Sequence, residues 1–278
     1  MRSVIAVLML LCQVNTFSQT GVDASGLFRK GKELYTRAEY FHAITELKRY
    51  LFFAPDSALH HEANLMIAAA YKKGGFYRLA SPYFLNARNS AQNTRDEAAA
   101  LIEHAKNEIL KGSPATAQKI LNLASARSPE RRDEIRYWNG IAGLFAGNLA
   151  SAAAILDSLS PGDSLAALCR LGEADLVNPE VMKIISAFLP GLPQIYLGEY
   201  SSGLLSLFWC GLWGYTAATA FTADRIFDGI MTGNFLFFRF YNGNLENAEI
   251  FGQNHNTRIK NSILSFYQNN YNGLKPEW

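Results

Sequence analysis

Gly31-Lys32-Glu33-Leu34-Tyr35-Thr36-Arg37-Ala38-Glu39-Tyr40-Phe41-His42-Ala43-Ile44-Thr45-Glu46-Leu47 decides the fold. A small residue, Gly31, is followed by Leu34, then by Ala43 and Leu47, with Pro55 closing the unit. The spacing returns as Ala68, Tyr71, Ala80, Phe84 and Ala87. It returns again as Ala105, Ala117, Leu121, Ala124 and Pro129, and more faintly as Gly140, Ala152 and Leu156. Small side chains let two antiparallel helices approach at their crossing, and bulky ones fill the space beside it. Such a hairpin buries little apolar surface alone, so copies stack into a solenoid.

The copies start near Ala24, His61, Ala98 and Asp133, at intervals of 37, 37 and 35 residues. The pattern predicts helices over 24–37 and 39–53, 58–73 and 76–90, 95–110 and 114–126, and 130–146 and 149–158. Gly74-Gly75, Gly112 and Gly147 mark the turns inside the pairs, because glycine accepts the left-handed conformation that ends many helices. Pro114 suits a first helical turn, and Pro55 and Pro129 follow helix ends.

This pattern resembles the tetratricopeptide repeat, over residues 24–164. The match is carried by Gly31, Leu34, Ala43, Leu47 and Pro55 in the first copy and by Tyr71, Ala80 and Phe84 in the second. Glu108 and Gly143 stand where that family places aromatic residues, so copies three and four are the irregular ones. The resemblance implies that the first helix of each pair lines a concave groove. That places Phe28, Lys32, Tyr35, Leu65, Lys72, Lys73, Ile102, Lys106, Tyr137 and Ile141 there. Aromatics interleaved with lysines suit a protein or peptide partner carrying acidic groups or a free carboxylate. A solvated, charged helix face explains the lysines equally well.

Residues 165–180 read as a capping helix or linker. The composition changes after Pro179, and 181–256 form an apolar module. No charge interrupts Ser201 to Ala223, a length that matches the hydrocarbon thickness of a bilayer as a helix. Ser202, Ser206, Cys210, Gly214, Ala218 and Thr222 recur every four positions, a stripe of the kind that associates helices in lipid. A second span, 226–241, carries Gly229 and Gly233 in the spacing that would dock on that stripe, and the stripe itself is a candidate surface for association. Asp228 and Arg239 leave it only ten uncharged residues, so its ends must snorkel or tilt. Residues 257–278 read as a polar tail.

Before these spans lies Pro190-Gly191-Leu192-Pro193-Gln194-Ile195-Tyr196-Leu197-Gly198. It resembles the Pro-Gly-x-Gly-Gln-x-Tyr-x-Gly loop of bacterial two-helix membrane modules, through Pro190, Gly191, Gln194, Tyr196 and Gly198. Pro193 replaces the family's second glycine and cannot adopt positive φ. Phe240-Tyr241-Asn242-Gly243-Asn244 resembles that family's closing segment. The resemblance implies location and architecture but no reaction. The proline-containing break frees backbone groups that need partners inside a membrane, and Gln194 and Asn234 are the expected suppliers.

Met1-Arg2-Ser3 followed by apolar Val4 to Leu11, with Thr16-Phe17-Ser18 as a cleavage site, reads as a signal peptide over 1–18. Twenty-six basic against 24 acidic residues give a net charge of +2, which excludes a nucleic-acid role resting on charge. Three cysteines build no disulfide framework. His42, His60, His61, His104 and His255 lack metal-ligand spacing, and no nucleophile elbow or phosphate loop is present. The sequence therefore predicts no metal, no cofactor and no catalytic residue.

The expectation is an all-α protein, a helical-hairpin solenoid followed by an apolar membrane hairpin. Its expected function is that of an exported adaptor holding a partner at the bacterial cell envelope, anchored in the cytoplasmic membrane with its repeats in the periplasm. Two alternatives stand beside it. One is a membrane-embedded assembly or carrier subunit acting through the hairpin, and the other is a soluble periplasmic binding protein.

Overall fold

The structure, a computed structural model, describes residues 23–54, 58–273 and 276–278. The expected signal peptide and Pro55 lie outside the described residues. All regular elements among them are helical. The chain divides into two compact units, one up to Trp138 and one from Asn139.

The first unit is built from helical hairpins. Helices α1 (Ala24–Thr36) and α2 (Tyr40–Phe53) pair, as do α3 (His60–Lys73) and α4 (Tyr77–Asn89), and α5 (Thr94–Leu110) and α6 (Pro114–Arg127). A short 3-10 turn then leads into α7 (Arg132–Ala146), inside which the unit boundary falls. Helix starts are fixed locally. Asp23 and Asn93 accept backbone N–H groups of the first turn at 2.9 and 2.8 Å, and Pro114 occupies a position whose N–H has no helical partner.

The recurring small and bulky positions are the helix crossings. Ala43, Leu47, Ala68, Ala80, Ala105, Ala117, Leu121 and Ala124 are fully buried. A Cβ added to Gly31 would stand 2.7 Å from the Leu47 side chain, so the glycine is the space into which Leu47 packs. Each hairpin turn closes the same way. Phe76 N–H donates to Tyr71 O at 2.9 Å and Gly75 N–H to Lys72 O at 3.0 Å, the paired bonds of a Schellman cap. Ser113 and Gly112 repeat this, as do Asn148 and Gly147. The first hairpin does so with Ala38 at φ 61°, where the later ones use glycine.

The second unit continues with α8 (Leu149–Leu159), α9 (Ser164–Asp175), α10 (Pro179–Phe188) and the five-residue α11 (Leu192–Tyr196). The long α12 (Tyr200–Thr222) follows, then α13 (Ile226–Met231), a π-helical segment (Thr232–Phe237) and α14 (Phe238–Asn269). Gly140 lies against Ile155 and Leu156, continuing the small-against-bulky spacing across the α7–α8 pair.

The helix that carries the end of the expected second span continues past residue 241, because α14 extends from Phe238 to Asn269. The expected polar tail is its last third together with the segment behind it. That tail is packed, because Ile259 and Ile263 lie against Gly172 of α9, and the stretch of α14 just before it is packed as well. Gly252 lies 3.3 Å from Pro179 at the position its Cβ would take, and Gly172 lies 2.6 Å from Ile263 in the same sense. Asn256 accepts from Val177 N–H at 3.0 Å and donates to Val177 O at 2.7 Å. Tyr271 donates to Asp163 at 2.6 Å, and Trp278 packs edge-on to Phe145 and Tyr267. Among the described residues only Tyr200–Thr222 is long and apolar enough to cross a membrane.

Candidate functional site

In the first unit the first helices of successive pairs bring their ionic groups together. Lys72 of α3 and Lys106 of α5 each reach one oxygen of Glu103 at 2.6 Å. Both lysines are buried, while Glu103 keeps about a third of its side chain exposed. Burial pushes the Glu103 carboxyl up, but the charges of Lys72 and Lys106 and their hydrogen bonds hold it below the usual carboxylate range. Lys106 also lies 4.9 Å above the Trp138 ring, and Lys72 lies 5.9 Å from the Phe84 ring, both cation–π arrangements. Burial, Tyr40 and the negative charge of Glu103 push the Tyr35 phenol up. Two ammonium groups share one carboxylate, so the cluster carries a net positive charge whose solvent-exposed member is the Glu103 carboxylate.

This revises the expected groove. Lys32 and Lys73 are exposed, and Tyr35 and Leu65 are half-buried. Phe28, Ile102, Tyr137 and Ile141 are instead core residues, the last three essentially without exposed surface. The physical reason is that a first helix packs against its own second helix and against neighbouring pairs, which leaves only a narrow stripe uncovered. Lys72 and Lys106 are not free cations but the fixed counter-charges of Glu103. Glu103 and Trp138 were absent from the sequence reading. Lys106, three residues after Glu103, was a signal for that pair, whereas its approach to Lys72 depends on the stacking of hairpins.

The irregular third copy has a role as well. Glu108, where an aromatic residue was expected, is buried and paired with Lys111 at 2.5 Å. It accepts from Ser81 at 2.6 Å and lies 3.4 Å from His104. A polar network thus replaces the aromatic contact.

In the second unit the Pro190–Gly198 loop is held by a buried polar node. Gly191 takes φ 85° and its N–H donates to Asn244 Oδ1 at 3.0 Å. The Gln194 amide donates to the same Oδ1 at 2.9 Å and to Asn244 O at 3.2 Å. Asn244 returns a bond to Ser186 O at 3.1 Å, and Tyr241 donates to Ala187 O at 2.8 Å. Gln194 and Asn244 are buried, and protein partners satisfy the Gly191 N–H and the Ser186 carbonyl, while Gln194 Oε1 and Ser186 Oγ have none among the described residues. A Cβ at Gly191 would stand 2.1 Å from Gly203 O, so loop and α12 touch backbone to backbone. Pro193 is buried and tolerated inside the first turn of α11, where no positive φ is needed. Tyr196 and Gly198 do not join the node: Tyr196 is exposed, and Gly198 caps α11 at φ 83°. The partner of Gln194 is Asn244, not Asn234, which is exposed in the π-helical segment. Asn244 belongs to the closing segment Phe240–Asn244, but its role appears only when α14 folds back.

The small-residue stripe is partly realised. Cys210 is buried, Gly214 faces Phe237, and Gly229 packs under the Phe221 ring. Ser202 and Ser206 are half-buried, Ala218 is exposed, and Gly233 has nothing close to the position of a Cβ. A strict four-residue repeat drifts about 40° per step around an α-helix, so its two ends face different ways. Of the four buried positions, Gly203, Cys210 and Ala217 follow a seven-residue spacing instead, and Ala220 lies three residues further on.

The described cysteines Cys169 and Cys210 are free and buried, and burial raises the Cys169 thiol to about 11. Searches against protein-family models and curated proteins return no match for this chain.

Proposed function

We propose that this protein is a tetratricopeptide-type adaptor anchored in a bacterial envelope membrane by its C-terminal module, holding a partner protein through the inner face of its hairpins. The observation that carries this reading is the state of α12. It is 23 residues long and lacks a charged residue, yet only 17% of its most apolar window is buried by the rest of the protein. Leu204, Leu205, Leu207, Phe208 and Phe221 are left uncovered, as are Phe227, Phe235 and Phe238 beyond the turn. In water such a contiguous apolar surface is unfavourable by about 25 cal/mol per Å². Acyl chains remove that cost.

The hairpins supply the other half. The net positive charge of the Lys72, Glu103 and Lys106 cluster, with exposed Lys73 and with Lys32, itself paired with Glu62 at 2.8 Å, suits an acidic peptide segment. A labelled oligoglutamate peptide titrated into the full chain in detergent tests this half. Binding should weaken as salt rises and should fall about tenfold in the doubly reversed Lys32→Glu, Lys73→Glu variant. Equal binding of oligolysine, or no effect of the reversal, overturns the partner assignment. Cleavage of the signal segment and exposure of the hairpins on the periplasmic side belong to the same proposal.

A further inference from the structure

Beside the loop node the second unit contains an open cleft of about 460 Å³ between α12 and α14. Ser202, Ser206 and Trp209 line it from α12, and Arg239, Phe240 and Asn247 from α14. Trp209 stacks on Phe240 at 5.3 Å and on Trp213 at 6.1 Å, which fixes an aromatic wall. Arg239 is the only charged residue in the lining. Among the described residues no ion pair or hydrogen bond engages its guanidinium, the two hydroxyls or the Asn247 amide. The π-helical segment ends one residue before Phe238, directly ahead of Arg239, and such wide turns recur at functional sites.

We infer that this cleft binds the phosphate of an anionic phospholipid, an inference that rests on the membrane reading above. Four features lead there. A lone guanidinium beside a membrane span needs an anion or water, since a bare charge next to hydrocarbon costs several kcal/mol. Arg239 offers a bidentate fork to a phosphate, and Ser202, Ser206 and Asn247 add neutral donors around it. The position is suitable as well. Ser202 to Trp209 lie in the first half of a helix about 34 Å long at 1.5 Å per residue, so the cleft lies toward one end of the span, within an arginine's reach of the headgroup layer. Exposed Leu204, Leu205 and Phe208 beside it give acyl chains a surface to follow. The net charge of +1 in the lining favours a lipid with net negative charge over a zwitterionic one, whose phosphate brings its own cation.

The test uses the full chain reconstituted into vesicles of phosphatidylcholine alone, or of phosphatidylcholine with a minority of phosphatidylglycerol. After detergent transfer, native mass spectrometry counts the lipids retained. The wild type should insert into both membranes and retain phosphatidylglycerol about tenfold over phosphatidylcholine. Arg239→Gln and the cleft-filling Ser206→Leu should abolish that preference. Arg258→Gln, whose arginine is paired with Glu199 outside the cleft, should keep it. Insertion with equal retention of both lipids, or retention indifferent to Arg239→Gln, overturns the lipid site while the anchor stands. Displacement of the lipid by equimolar inorganic phosphate overturns it in favour of a free-anion site. Failure to insert removes the anchor and the lipid site together.

Discussion

Gln194 and Asn244 lie 50 residues apart in sequence and meet in one buried contact, the Gln194 amide donating to the side-chain and backbone oxygens of Asn244 at 2.9 and 3.2 Å. Through it the start of the apolar module is fastened to its closing helix. Asn244 also receives the N–H of Gly191 and donates to Ser186, so one side chain completes a break that would otherwise leave several buried polar groups bare.

Asn244→Leu should therefore destabilise the second unit by about 3 kcal/mol, since each stranded buried group costs about 1–3 kcal/mol. Asn247→Leu, three residues on and exposed, should change stability by under about 0.5 kcal/mol. Gly191→Ala should be as severe as the first, because its Cβ meets Gly203 O and its φ is positive. Chemical denaturation of the detergent-solubilised chain, followed by Trp fluorescence, measures all three.

Glu103 is the single counter-charge of two buried lysines. Glu103→Gln should cost about 2 kcal/mol, and Lys72→Met should remove part of that cost when combined with it, a non-additivity visible in a double-mutant cycle. The Glu103 carboxyl is depressed in the folded protein, so its stabilising contribution is complete above its unfolded range. It is lost as pH falls through about 4.5 and below. Thermal melts between pH 6 and 3 should show a loss that is smaller in Glu103→Gln.

His104 responds over a different window. Burial is the largest influence and holds its imidazole below its ordinary value of 6.5 against the pull of Glu108. The unfolded chain therefore takes up a proton first, and stability falls as pH drops from about 7 through the folded value. Replacing His104 with Gln should flatten the melting temperature between pH 7.5 and 5.5. A curve unchanged by the substitution would show that the network around Glu108 tolerates the imidazolium.

The hairpin turns give a paired prediction. Ala38 stands at φ 61° in a cap position occupied by glycine at Gly75, Gly112 and Gly147. Ala38→Gly should stabilise the first unit by about 1 kcal/mol, and Gly112→Ala should destabilise it by a similar amount. A matched pair of urea titrations checks the sign.

The hairpins were legible in the sequence because their signal is local and repeated. The positions of Gly31, Ala43 and Leu47 recur at each crossing, and Gly75, Gly112 and Gly147 punctuate the turns. The positions of Ile102 and Tyr137 were not legible in the same way. A periodic face states that a residue is on one side of a helix, not which neighbour covers that side. Glu103 and Asn244 were missed because their partners lie on other elements, brought near by stacking and by the return of α14. The helix runs past residue 241 and past Gly243 because its packing against α9 and α10 carries it onward. The four-residue stripe was visible as composition, but helical drift decides which of its members pack.

Alkaline carbonate extraction of membranes from cells expressing the full chain, followed by protease treatment of spheroplasts, tests the central claim most directly. The protein should remain in the pellet while the hairpins, followed with an antibody against residues 58–127, are digested from outside. Release of the intact chain into the supernatant would contradict the anchor. The uncovered apolar face of α12 would then have to be closed by protein rather than lipid.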